Sequence, residues 1–408
     1  MPAVTFVVGT VPDIIKSIEV ARALAASGLR VTIYDTLQNR MDVFARDGRV
    51  PVVRTSVVRA DCRDDLDWVA ACASEIAELC GDLVVVQGDT YSALAGAHAA
   101  RRAGATLAHI EAGLRSHDPL SPFPEEMNRV FIDTQSELLF CATPTDFDDL
   151  IATANVTSKK SFIVGNTVCD PIFRHRERLA AAAVRPEGIL VSLHRRENYQ
   201  HRQQILAALR RLTASHPGIH FRLLKRGLLA DQEALTFGGN VSMIGMTEHL
   251  HFLDMLAAST LAICDSGGIL EEAVTLGVPV VCLRRVLERG RLVDGVTCVD
   301  PEAIDGAQLA AVVDSLLAQP RDRRGALRET FGDGRSADRI AALLLDHLGE
   351  QASDDVDGAH RAQAPSPVLV RFERTKPAEI STVVKDFRTE ERARRYAASA
   401  SGADACEP

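Results

Sequence analysis

Three acidic residues in the first half of the chain, Asp89, Glu111 and Glu125, have the placement that acid/base chemistry needs. Asp89 follows the apolar run Leu83–Gln87 in Gly88-Asp89-Thr90. Glu111 follows Thr106–Ile110 in Glu111-Ala112-Gly113-Leu114-Arg115, and Glu125 lies in Ser121-Pro122-Phe123-Pro124-Glu125-Glu126-Met127-Asn128-Arg129. Carboxylates converging in one cleft can divide general-acid and general-base work, because burial and mutual repulsion push their pKa values apart. A single one is more often a cap or an ion-pair partner.

The second half offers groups for an anion. His194-Arg195-Arg196-Glu197-Asn198 follows the run Ile189–Leu193, and a His with two Arg at a strand end suits an anionic oxygen. Asp265-Ser266-Gly267-Gly268-Ile269-Leu270-Glu271-Glu272 follows Leu261–Cys264. Ser266, Gly267 and Gly268 can bring backbone N–H groups and a hydroxyl against a diphosphate at a helix start. Glu272, one turn on, can accept two ribose hydroxyls. A weaker turn, Gly9-Thr10-Val11-Pro12-Asp13 before Lys16, also offers N–H groups for phosphate, although it is neither a G-x-x-x-x-G-K-[ST] loop nor a G-x-G-x-x-G turn.

Elements that would position these residues alternate between strand and helix. Strands are expected at Thr5–Val8, Val31–Tyr34, Leu83–Gln87 and Thr106–Ile110, with helices at Ile14–Ala26 and Tyr91–Ala103. The pattern restarts with strands Ile189–Leu193, His220–Leu224, Leu261–Cys264 and Pro279–Leu283, and helices Gln203–Ala214, His251–Ala258 and Gly268–Leu276. Such alternation predicts α/β architecture: two successive doubly wound, mostly parallel sheets whose ligands bind beyond the strand ends. The expected domains are 1–168 and 169–349, with a hinge near Asn166–Phe173 and the last helix, Ala337–Leu348, free to pack back on the first domain. Residues 350–408 read as a linker-like extension, disordered or docking by composition.

Composition narrows the classes. The 408 residues are 46% hydrophobic and 25% charged, as in ordinary globular proteins. A net charge of −9 argues against a nucleic-acid partner. No apolar run reaches the roughly 18–20 residues that span a bilayer, so no membrane partner is expected. Nine cysteines without a C-x-x-C pair argue against a disulfide framework or zinc knuckle and point to a reducing, cytoplasmic setting. Only six of the 46 basic residues are Lys, and one of them is Lys16.

The stretches GTVPDIIK, VQGDT, HIEAGLRS, SPFPEEMNR, VGNTVCDP, VSLHRREN and DSGGILEEAVTLGVPVV, in this order, resemble the bacterial UDP-N-acetylglucosamine 2-epimerases. The resemblance implies the GT-B fold, two Rossmann-like domains with the site between them. It also implies elimination of UDP across C1–C2 to a 2-acetamidoglucal, followed by re-addition of UDP or, in a hydrolysing branch, of water. By resemblance Asp89, Glu111 and Glu125 form the acid/base set, and Arg129 and His194 steady the diphosphate. Thr10, Lys16, Arg195, Phe252, Ser266, Gly267, Gly268, Glu272 and Arg289 fall to substrate and nucleotide binding. No metal or redox cofactor is needed, and a homodimer is implied.

Departures from the family pattern are local. Val11 stands where G-T-R-P-E has Arg, a loss of about 1.5–3 kcal/mol if a charge-assisted contact goes uncompensated. Leu270 replaces Gln, Leu283–Gly290 replaces M-R-x-x-T-E-R-P, Gln38–Asp42 replaces Q-H-R-E-M-L, and Phe221–Arg226 stands for H-L-N-P. The last two segments help form a second, regulatory UDP-sugar site in some relatives. Activation by UDP-N-acetylglucosamine is therefore expected to be weak or lost, and a rate-against-substrate curve without activator dependence checks it. The altered loops keep a UDP-sugar-dependent glycosyltransferase on the same scaffold as the alternative.

Overall fold

The computed structural model describes residues 2–39, 50–119, 122–154, 159–184, 187–285, 287, 295–319 and 327–354, with the side chains of 350–354 left aside. Expectations for Arg289, Ser121, positions 40–42 and the extension beyond 354 lie outside the described residues.

The first lobe runs β1 (Ala3–Val8), α1 (Val11–Ala26), β2 (Arg30–Asp35), β3 (Val52–Arg54), α2 (Asp65–Leu79), β4 (Leu83–Gln87), α3 (Tyr91–Ala103), β5 (Thr106–Ile110), α4 (Glu125–Gln135), β6 (Leu138–Cys141), α5 (Pro144–Thr153) and β7 (Lys160–Ile163). The second runs α6 (Asp170–Arg174), α7 (Arg176–Ala183), β8 (Ile189–Ser192), α8 (Arg202–Ser215), β9 (Phe221–Leu224), β10 (Val241–Ile244), α9 (His249–Ala257), β11 (Leu261–Cys264), α10 (Gly267–Thr275), β12 (Val280–Leu283), β13 (Val296–Val299) and α11 (Gly306–Leu317). A final helix, α12 (Ser336–Asp354), follows.

Both sheets are parallel throughout, in the orders β3-β2-β1-β4-β5-β6-β7 and β10-β9-β8-β11-β12-β13. In each, the strand order reverses beside the first strand, so a crevice opens where neighbouring connections leave for opposite faces. Central strands covered on both sides need continuous apolar sequence. β1 and β4, AVTFVV and LVVVQ, are buried at every position, whereas edge strand β3 is exposed at all three.

Two crossings join the lobes. Asn166 N–H donates to Phe331 O at 2.6 Å. The Asp170 carboxylate accepts the N–H groups of Ser336 at 3.2 Å and Ala337 at 2.6 Å, capping α12 from the first crossing. Ile340, Ala341, Leu344 and Leu348 of that helix sit in one apolar core with Ile14, Val20 and Leu24 of α1. The C-terminal helix thus returns to the first lobe because its apolar stripe is buried there.

Candidate active site

A cavity of about 570 Å³ lies beyond the strand ends, a size suited to a small-molecule ligand. The turns after β1, β4 and β5 contribute Thr10, Asp13, Lys16, Asp89 and Glu111 to its wall. The second lobe contributes His194, Arg195, Ser266, Gly267, Gly268 and Glu271. Glu125, Glu272 and Phe252 are not on that wall. Phe252 is buried on α9 in the second lobe's core, because that face of the helix is apolar.

Each acidic group has its own environment. Lys16 Nζ reaches both oxygens of Glu111, at 2.7 and 2.8 Å, and Gln87 Nε2 donates to Oε2. Glu111 itself has φ +72°, a left-handed backbone that costs a non-glycine residue about 1–3 kcal/mol. It is held there by Glu111 N–H and Ala112 N–H donating to Phe140 O. Asp89 receives Arg129 Nε and Nη2, both at 2.6 Å to Oδ2. Asn128, three residues after Glu125 on α4, donates to Asp89 O at 2.8 Å. Arg129 Nη1 goes to Glu126 at 2.9 Å, and Glu126 accepts the N–H groups of Ser116 and His117. The E-E-M-N-R run is therefore one helix turn that fixes the Asp89 turn, and Arg129 is engaged first with carboxylates.

Glu125 differs from both. It opens α4, its Oε2 is buried without a hydrogen-bond partner, and burial followed by the charge of Asp89 pushes its carboxyl above the usual range. Arg195 and Glu197, across the cleft, are its other charged neighbours.

The turn after β1 does not offer the free N–H groups that its sequence suggests. Asp13 Oδ2 accepts Gly9 N–H at 3.0 Å, Thr10 N–H at 3.1 Å and Thr90 Oγ1 at 3.2 Å. Thr10 Oγ1 donates to Asp13 Oδ1 at 2.7 Å and completes a capping box. A carboxyl thus occupies the place of an anion, and it couples the β1 turn to the Asp89 turn. Burial raises it to about 7 against those hydrogen bonds. Because the folded value lies above the unfolded one, its contribution to stability is full below about pH 4 and is lost as pH rises through about 7. Urea midpoints between about pH 5 and 8 are expected to fall with pH, and Asp13→Asn is expected to flatten that slope.

In the second lobe, Asp265 binds the strand ends together. It accepts the N–H groups of His194 at 3.0 Å and Arg195 at 2.9 Å, and Asn198 Nδ2 at 3.1 Å. Asn198 also donates to Leu283 O at 3.1 Å, tying in β12. By contrast, Ser266 caps α10 without a side-chain hydrogen bond, and a Cβ on Gly267 or Gly268 would meet nothing within 4 Å. This helix start leaves its first N–H groups uncapped by a side chain on the cavity wall. Glu272 is buried and lies 2.6 Å from His249 Nε2. Glu271 faces the first lobe, 3.6 Å from Lys16 Nζ and 2.8 Å from Asn166 Nδ2.

Sequence reasoning missed Asp13, Gln87, Glu126, His249, Asp265 and Glu271. Asp13 and Asp265 were legible as carboxylates at strand ends; the others show their part only through distant contacts.

Two doubly wound parallel sheets with acid groups on one wall and an open helix start on the other define a GT-B enzyme. A family model described as UDP-N-acetylglucosamine 2-epimerase matches residues 67–345, and the chain belongs to that family. The UDP-N-acetylglucosamine 2-epimerase of Escherichia coli is 32% identical over 290 residues, 66% of this chain and 77% of that protein. The Methanocaldococcus jannaschii enzyme is 28% identical over 373 residues, 83% and 98% of the two chains. The solved structure of a Methanocaldococcus jannaschii UDP-GlcNAc 2-epimerase, in complex with UDP-GlcNAc and UDP, is similar with a TM-score of 0.71 at 27% identity, covering 84% of this chain and 99% of that one.

Proposed function

We propose that the protein interconverts UDP-N-acetylglucosamine and UDP-N-acetylmannosamine, or runs the hydrolysing variant of the same elimination. A base removes the C2 proton, the C1–O bond breaks, UDP leaves, and a 2-acetamidoglucal remains. Re-addition of the UDP oxygen at C1, with a proton delivered to the opposite face of C2, gives the epimer; water in place of UDP gives the free sugar. Asp89, Glu111 and Glu125 form the acid/base set. Glu125 is the member placed to trade protons, since Lys16 pairs with Glu111 and Arg129 with Asp89. Ser266, Gly267 and Gly268 hold the diphosphate, with His194 and Arg195 beside them, and Glu272 takes the ribose. Lys16 holds Glu111 in an ion pair.

The observation that carries this reading is one cavity lined by Asp89 and Glu111 on the first lobe and by an uncapped glycine helix start on the second. No helix among the described residues is long and apolar enough to cross a membrane. By resemblance to the family we infer a cytoplasmic homodimer.

Incubation with UDP-N-acetylglucosamine in deuterated water, followed by NMR, tests the reading. Deuterium at C2 with UDP-N-acetylmannosamine supports epimerisation; N-acetylmannosamine with free UDP supports the hydrolysing branch. Absence of both C2 exchange and UDP release rejects it, and UDP release that requires an acceptor would favour glycosyl transfer.

A further inference from the structure

The segment after β9, which departs from the family's H-L-N-P pattern, is pressed against His194. Gly227 has φ +55°, and a Cβ on it would stand 2.3 Å from His194 Cα, 2.7 Å from His194 Cβ and 2.3 Å from Leu193 O. Leu228 N–H donates to Leu193 O at 3.0 Å. Arg226 Nε and Nη2 both donate to Ser192 Oγ, at 3.1 and 2.8 Å, and Ser192 ends β8 two residues before His194. The guanidinium also faces the charges of Asp265 and Glu272. We propose that Arg226 is a positioning residue for His194: anchored on Ser192, it places a fixed positive charge behind the imidazole, while Gly227 lets the turn close on the His194 backbone.

The charged groups around His194 come from three strand ends. Arg195 lies on its own turn, Asp265 ends β11 with Oδ1 at 3.5 Å from Nδ1, and Arg226 ends β9. The facing start of α10 offers Ser266 and two glycines, none of which titrates in this range. Nδ1 is buried without a hydrogen-bond partner, and Asp265 already accepts backbone N–H groups. Asp265 Oδ1 at 3.5 Å favours a charged ring, while burial, then the charges of Arg226 and Arg195, outweigh it and pull His194 down to about 3. A neutral ring donates one N–H to a diphosphate oxygen without a competing proton equilibrium.

The role of His194 at a diphosphate rests on the proposed function; its protonation does not. The imidazole signal of His194, assigned with His194→Asn, is to be followed by NMR from about pH 4 to 8 in the wild type, Arg226→Gln, Arg226→Lys and Ser192→Ala. Wild-type His194 is expected to stay neutral across that range. Arg226→Gln is expected to raise its midpoint by more than about one pH unit, into that range, with Arg226→Lys returning it towards wild type. Ser192→Ala, which frees the anchor and keeps the charge, is expected to give a smaller rise, and it serves with Arg226→Lys if Arg226→Gln does not fold. In turnover, the acidic limb of kcat should move up in pH in Arg226→Gln and recover in Arg226→Lys. Equal His194 titration in the wild type and the folded position-226 and position-192 variants overturns the proposal. Inactivity on UDP-N-acetylglucosamine with the NMR shift present overturns only the functional reading.

Discussion

Glu125→Gln is expected to lower kcat by about 10²–10⁴-fold, the range for loss of a positioned general acid or base, while leaving the fold intact. The two halves of that expectation have separate causes. In the proposed reaction catalysis suffers because burial and the charge of Asp89 raise the Glu125 carboxyl towards proton exchange. A base for the weakly acidic C2 proton benefits from exactly that upward shift, since a carboxylate of ordinary pKa is a poor match for the proton it must take. Stability is spared because Oε2 makes no hydrogen bond that glutamine could forfeit.

The sign of the pH effect separates this from a structural explanation. A carboxyl raised in the folded state stabilises at low pH, and that contribution is lost as pH rises through its folded value. Glutamine carries no such charge, so the urea midpoint of Glu125→Gln near pH 8 should equal or exceed that of the wild type. NMR of the C2 proton in deuterated water measures the chemical step, and the midpoint measures the fold. A variant that lost activity and stability together would remove Glu125 from the acid/base set.

Much of the scaffold was legible because central parallel strands are buried on both faces and read as short apolar runs. Leu83–Gln87 and Thr106–Ile110 coincide with β4 and β5. Edge strands β3 and β13 escaped notice because they are only partly covered, and KSFI of β7 because a lysine and a serine interrupt its pattern. Helix α2 begins with Asp-Leu-Asp and carries its apolar stripe later, on Trp68, Val69, Cys72, Ala73 and Ile76, which is clear only once α3 is seen beside it. On the cavity wall, strand-end turns marked Asp89, Glu111 and Ser266–Gly268. The residues that orient them did not stand out, since Glu126 acts on a loop some ten residues back and Glu271 acts across the hinge. The β1 turn misled for a related reason: the group that fills its N–H donors, Asp13, is also the first-turn acid that helix starts favour.

Asp133→Ala is expected to destabilise the protein by about 3–5 kcal/mol, the cost of orphaning a buried ion pair and a large part of the roughly 5–15 kcal/mol that holds a domain together. Asp133 is fully buried on α4. Its Oδ1 lies 2.7 Å from His109 Nδ1, and its Oδ2 accepts Arg115 Nη2 at 2.6 Å and Gly113 N–H at 3.1 Å. Burial works to raise this carboxyl, but the charges and hydrogen bonds of His109 and Arg115 outweigh it and hold it below its usual range. That stability is present above the unfolded value of about 3.9 and is lost as pH falls through the folded one. The wild type should therefore lose stability steeply in acid, and Asp133→Ala should lack this component. The effect reaches the chemistry through two contacts. Gly113, at φ +81°, lies so close to Asp146 O that a Cβ would approach to 2.0 Å, and its N–H is fixed by Asp133. His109 Nε2 meets Gly88 O at 2.9 Å, so the same carboxylate braces the residue before Asp89. Releasing it loosens the Glu111 and Asp89 turns together. Asp133→Asn, which keeps the shape and an acceptor for Gly113, should fall between wild type and alanine in both urea midpoint and kcat. Equal midpoints for all three proteins would show that the His109–Asp133–Arg115 cluster does not hold the turns.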